Sequence, residues 1–266
     1  MNKYWEGFMR YRYLLIELVR KGIKLKYRRS YLGLVWTLLE PLLTTLVLWF
    51  VFGNLLGRGD ALYPVYILSG RLLYSCFSSS SKIAMRSIRS NQAMIKKVYV
   101  PKYLYPLSSV LYNYILFLLS LIILAATSIV LGVHFTWHII EIFIPLLVLF
   151  VMSIAAGLIL STVCVFFRDL EYLWDVLLML IMYCSAIFYY IDRIGAAKAV
   201  IRWNPLYCII SNFRCALMEK GSIFTSYSYG ISNLQMFIYS AVFSVAALLF
   251  GIWIFKKNQD KFILHI

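Results

Sequence analysis

Crossing a bilayer core takes about twenty mainly apolar residues. Six segments reach that length: approximately Leu34 to Leu56, Tyr63 to Ser80, Tyr105 to Val133, Ile139 to Phe167, Tyr172 to Ile191 and Leu234 to Phe255. A shorter stretch from Trp203 to Met218 is too polar to span, and its Asn204-Pro205 break suits a re-entrant or interfacial helix pair. Ahead of the spans the texture changes. Phe8, Tyr11, Leu15, Leu18, Gly22 and Leu25 fall at helical spacing, while Arg10, Glu17, Arg20, Lys21, Lys24 and Arg28 take the opposite side. That pattern predicts an amphipathic helix lying along the membrane surface; a basic topology anchor with no other task is the alternative. The fold expected is all-α and integral to the membrane, with six transmembrane helices, an N-terminal amphipathic interfacial helix and an external re-entrant segment at about 192–230. Residues 1–33 form the interface helix in this reading and 34–266 a single membrane domain, with no internal repeat.

Composition sharpens this. The 266 residues are 62% hydrophobic and 17% aromatic, against roughly 45–50% apolar content for soluble domains. Only 14% are charged, yet the net charge is +15, so the ionisable residues are mainly Lys and Arg. Their distribution decides between nucleic acid and membrane as the reason. Nine lie between Lys3 and Arg29, six between Lys82 and Lys102, one at Arg168 and three at Lys256, Lys257 and Lys261, which is 19 of the 26. With six spans these four segments share one side, so the positive-inside rule predicts both termini in the cytoplasm and needs no nucleic-acid partner. The first 29 residues contain no uninterrupted apolar core of the kind a cleaved signal peptide has. The five cysteines show no paired metal spacing and read as small buried side chains.

The polar residues within the spans are few. Glu40, beside Pro41, is either functional, because a carboxylate at membrane depth is costly, or a cap for backbone donors freed at the Pro kink. Arg71 is the other charge inside a span, and a Glu40–Arg71 pair is an expectation. His134, His138 and Glu141 lack the further ligands that a metal site requires and read as an interfacial polar patch. No clustered carboxylates or histidines suggest an enzyme, which disfavours a polyprenyl-linked glycosyltransferase, and no glycine-rich phosphate cradle is present. Aromatics crowd the second span and the external region, including Tyr63, Tyr66, Tyr74, Phe77 and Tyr183. They fit an interfacial anchoring belt or the wall of a conduit along which sugar faces slide.

The stretch KYRRSYLGLVWTLLEPLLTTLVLWFVF from Lys26 to Phe52 resembles the permease signature of ABC-2 type exporters of polysaccharides and polyol-phosphate polymers, the group that moves O-antigen, capsule and teichoic acid. IKKVYVPKYLYPL from Ile95 to Leu107, FRDL from Phe167 to Leu170, and NPLY followed by Arg214 stand in the same order, so the resemblance covers nearly the whole chain. It implies a homodimer in the cytoplasmic (inner or plasma) membrane with two separate nucleotide-binding subunits beneath it. ATP and Mg would be bound by those subunits, with no cofactor in this chain. The cargo implied is a polyprenyl-diphosphate-linked glycan. By resemblance, Arg28 and Arg29 belong to the cytoplasmic gate and ATPase contact, and Lys96, Lys97, Arg168 and Asp169 lie at the same face. Gly33, Trp36, Glu40 and Pro41 form the first-span motif, and Asn204, Pro205 and Arg214 the external re-entrant motif. The same architecture moving a drug or a small lipid is the alternative.

Overall fold

A computed structural model describes residues 2–28, 30–51, 60–97, 100–191, 198–218, 221–225, 227–228 and 231–262. Arg29 and parts of the segment at about 192–230 lie outside the described residues. The described chain is almost wholly helical: α1 (Asn2–Tyr27), α2 (Trp36–Trp49), α3 (Tyr63–Ser90), α4 (Gln92–Ile95), α5 (Leu104–Val130), α6 (Phe143–Phe166), α7 (Leu170–Tyr183), α8 (Lys198–Arg202), α9 (Pro205–Leu217) and α10 (Asn233–Asn258). A two-residue antiparallel pair, Tyr227–Ser228 with Ile231–Ser232, precedes α10.

Among the described residues, the helical stretches Leu104–Val130, Trp137–Phe166 and Asn233–Lys261 are long and apolar enough to cross a membrane. They correspond to the third, fourth and sixth predicted spans. The fourth begins with a 3-10 turn, Trp137–Ile142, before α6. Many of their hydroxyls donate back into their own helix, as Ser128 Oγ does to Leu124 O at 2.7 Å and Ser153 Oγ to Leu149 O at 2.8 Å. A serine can therefore sit in an apolar helix without an unsatisfied group.

The other spans differ from the hydropathy reading. α3 starts where predicted, with Pro64 in its first turn, but continues past Ser80 to Ser90 as a basic extension carrying Lys82, Arg86 and Arg89. The first span is helical from Trp36 to Trp49, entered through Gly33, whose φ of +50° favours glycine. The predicted fifth span is not one continuous helix. α7 ends at Tyr183, about 21 Å from its start and short of the roughly 30 Å hydrocarbon core, and the chain then turns through Ala186 at φ +47°.

Close approaches hold the bundle. A Cβ on Gly157 of α6 would stand 2.9 Å from the Ala84 Cβ on α3 and 3.2 Å from Val110 on α5, so only glycine permits this three-helix contact. One end of the bundle gathers Leu15 and Leu18 of α1 with Ile88, Ile95, Leu104, Tyr105, Val165, Phe255 and Phe262. The N-terminal helix, the α3–α5 connection, the α6–α7 turn and the C-terminal end of α10 thus lie together. α1 docks on α5 rather than standing apart: a Cβ on Gly22 would sit 2.5 Å from the Tyr112 ring. Of the predicted apolar face, Leu25 is instead exposed.

Candidate functional site

Three polar assemblies interrupt this apolar bundle. The first is a cleft of about 90 Å³ between the end of α1 and the helices α2, α3 and α5. Lys26, Glu40, Arg71 and Asn113 line it together with Thr37, Thr44, Ser75, Ser79 and Ser120. α2 carries Glu40 and Pro41 to the wall. The Thr44 hydroxyl donates to the Glu40 carbonyl at 2.8 Å and to the Pro41 carbonyl at 3.1 Å, supporting the helix at the proline. Glu40 and Arg71 share the cleft, but the predicted direct pair does not form: neither takes part in the ion pairs among the described residues. Among the described residues the Glu40 carboxylate makes no capping bond to backbone either, and the two charges line an open polar space. Lys26 is exposed overall, yet the adjoining wall desolvates its ammonium and pushes its pKa down, with the Glu40 carboxylate opposing that shift. Such an open polar space keeps the charges on its wall hydrated.

The second assembly joins α3 to α7. The Glu171 carboxylate accepts from Arg86 Nε at 2.9 Å and from Arg89 Nη1 at 3.2 Å, and Lys82 meets Asp175 at 2.7 Å. The Trp174 indole N–H donates to Ser81 Oγ at 3.0 Å between these pairs. In the sequence the three cations read as topology signals, and Glu171 and Asp175 are not among the predicted site residues. The signal was available, since two acids four apart match cations at spacings of four and three on helical faces. Beyond this patch Arg28, Lys96, Lys97, Arg168 and Asp169 are exposed at the same end of the bundle, as is Trp36 near the start of the first span.

The third assembly ties α7, α9 and α3 together at the other end. Asn204 is the N-cap of α9, its Oδ1 accepting from the Leu206 N–H at 3.0 Å, with Pro205 in the first turn. Its Nδ2 donates to Cys184 O at 3.1 Å and Ser185 Oγ at 3.0 Å, closing the C-terminus of α7. α9 then runs back fully packed, carrying Arg214, which is only 4% exposed. The guanidinium donates to Tyr66 O at 2.8 Å, Ala186 O at 3.0 Å and Ser69 Oγ at 3.4 Å, and stacks 3.5 Å from the centroid of the Tyr66 ring. A Cβ on Gly70 would collide with it, at 2.4 Å from Nη2.

The same contacts place the aromatics proposed for a conduit. Tyr63 is completely buried, and its hydroxyl donates to Phe188 O at 2.7 Å, so its ring presents no face to a lumen. The nearly buried Tyr66 hydroxyl bridges to Ala186 O and Tyr189 O, each at 2.9 Å. Tyr74 donates to Leu178 O at 2.9 Å, and Phe77 packs edge-on to Trp174. These four hold α3 to the α7 region, and of the five only Tyr183 is largely exposed, at 55%. Glu141, read as part of a polar patch, is a tie of the same kind: it accepts from Ser222 Oγ at 2.9 Å and from the Ile223 N–H at 2.7 Å, with His138 Nδ1 at 2.9 Å.

Known proteins resemble this chain over nearly its whole length. The chain is 27% identical over 256 residues to the O-antigen export system permease protein RfbA of Klebsiella pneumoniae, covering 94% of this chain and 93% of that one. It is 28% identical over 255 residues to the protein of that name from Myxococcus xanthus, with 95% of each covered. The polysialic acid transport protein KpsM of Escherichia coli is 25% identical over 263 residues, with 96% of each covered. The model of the family described as ABC-2 type transporter matches residues 13–218, more than half of the chain and all three polar assemblies, so this protein belongs to the ABC-2 type transporter membrane family.

Proposed function

We propose that this chain is the membrane-spanning subunit of an ATP-driven exporter of a polysaccharide, carried as a polyprenyl-diphosphate-linked glycan. The observation that carries the reading is the match over almost the entire length to proteins named for O-antigen export and polysialic acid transport. Two copies of the chain form the conduit in the cytoplasmic membrane, and two separate ATPase subunits bind ATP and Mg. Both termini are cytoplasmic, consistent with the gathering of α1, the α3–α5 connection and the end of α10 at one pole. α7 followed by the 184–191 turn makes the fifth crossing. The chain from α8 to α9 re-enters from the outside, capped at its inner tip by Asn204. Arg28, Lys96, Lys97, Arg168 and Asp169 face the ATPase, and Arg28 and Lys26 meet the carrier diphosphate below the Glu40–Arg71 cleft.

The test is co-expression and co-purification with the proposed separate ATPase subunit, followed by ATP turnover with and without polyprenyl-linked glycan. Turnover should rise with the glycan, and fall back when Arg28 and Arg29 are both replaced by Ala. Turnover that responds only to small amphiphiles would move the protein to the drug or lipid exporters of the family.

A further inference from the structure

A second cleft, of about 390 Å³, opens between the turn before α3 and the C-terminal half of α9, at the pole opposite α1. Asp60, Leu62, Tyr66, Tyr190, Arg214 and Met218 form its wall. Arg214 is the unusual member. Its guanidinium has five N–H groups, three of which are spent on Tyr66 O, Ala186 O and Ser69 Oγ. Among the described residues the other two N–H groups have no partner, and no carboxylate lies within ion-pair distance. A cation this deeply buried with no counter-ion among the described residues is costly, and the Tyr66 ring beneath it offsets only part of that. The unspent donors and the unmatched charge ask for an oxyanion.

The rest of the wall says what kind of molecule brings it. Asp60 is exposed at the rim, where its carboxylate accepts from hydroxyls and disfavours a second negative charge. The Tyr190 ring leans on Tyr66 with centroids 4.6 Å apart and leaves a half-buried aromatic edge in the cleft. One oxyanion, several hydroxyls and an apolar ring face describe an acidic sugar residue. We propose that this cleft binds one acidic sugar unit of the emerging glycan, its carboxylate or phosphate on Arg214 and its hydroxyls on Asp60. The proposal rests on the glycan-export reading above and adds a site on the exit side to it. An outer-leaflet lipid phosphate has the same oxyanion chemistry and is the competing source.

Ala61, exposed at the edge of the cleft, reports on occupancy when replaced by cysteine. The full-length Ala61→Cys chain in phosphatidylcholine nanodiscs is labelled with a charged, impermeant maleimide, and labelling of the parent chain is subtracted. The probes are a short oligosaccharide of glucuronic acid and the same oligosaccharide with its carboxylates reduced to alcohols. The acidic form should slow labelling and the reduced form should not. Arg214→Gln should raise the concentration for half-protection by about tenfold to a hundredfold, the loss expected for a charge-assisted hydrogen-bonded contact. If that variant does not fold, the contrast between the two oligosaccharides on Ala61→Cys decides alone. Equal protection by both, protection by neither, or protection that appears only when phosphatidylglycerol replaces phosphatidylcholine overturns the site. Glycan-stimulated ATP turnover with no protection of the Ala61→Cys thiol removes this inference and leaves the exporter reading standing; loss of the turnover response removes the exporter reading itself.

Discussion

Replacing Asn204 by Ala removes three hydrogen bonds that hold α7 to α9. Its Oδ1 caps the Leu206 N–H, and its Nδ2 satisfies both Cys184 O and Ser185 Oγ. A lost N-cap costs about 1 kcal/mol, and buried side-chain bonds in membrane proteins average about 0.6 kcal/mol each, so Asn204→Ala should destabilise by about 2 kcal/mol. Asn204→Ser separates the terms, because serine keeps the cap but cannot reach Cys184; it should cost about half as much. The assay is equilibrium unfolding of the purified chain in mixed micelles, with thiol labelling of the half-buried Cys184 as a local readout. The ranking should be wild type, then Ser, then Ala, with Cys184 labelling fastest in Ala. An Ala variant as stable as wild type, or a Ser variant as damaged as Ala, would refute the assignment of Asn204 as the clasp between the two helices.

Glu171→Gln leaves Arg86 and Arg89 without their shared carboxylate and should cost about 1–2 kcal/mol, with the difference shrinking in high salt; a penalty unaffected by salt contradicts an ionic origin. Gly22→Leu drives a side chain into the Tyr112 ring, so α1 should lift from α5 at an overpacking cost of about 1–3 kcal/mol, seen as faster amide exchange along residues 11–27; unchanged exchange means that α1 does not rest on Tyr112. Tyr63→Phe removes the buried hydrogen bond to the Phe188 carbonyl and should lower stability by about 1 kcal/mol while export per folded molecule stays unchanged; slowed export at full stability would return Tyr63 to the conduit wall.

Hydropathy located α5, α6 and α10 because their apolar runs are unbroken, and local composition is enough where lipid surrounds a helix. It missed the length of the α3 helix and the break after α7 for opposite reasons. Lys82, Arg86 and Arg89 ended the predicted second span at Ser80, yet the helix continues because α7 supplies Glu171 and Asp175 as partners, information that lies about ninety residues away. The fifth span looked continuous through Ile191, since no glycine or proline marks a break there. Its helix stops at Tyr183 because Asn204 and Arg214 take over the carbonyls of Cys184 and Ala186, a tertiary effect. Among the site residues, Glu40 and Arg71 were legible as costly charges and do share a cleft, but pattern alone could not say that they stand apart across it. Aromatic spacing likewise could not distinguish a lumen-facing Tyr63 from a buried one, because an anchor, a clasp and a conduit wall draw on the same residue type.

Transport itself is the decisive assay for export. The chain and its ATPase are reconstituted in liposomes with the ATP site outward, polyprenyl-linked glycan is added outside, and its resistance to an external glycosidase is followed over time. An ATP-driven exporter gives protection that grows only with hydrolysable ATP and is lost when the ATPase is omitted. Protection that forms without ATP, or a glycan that stays fully accessible while ATP turns over, contradicts the export function.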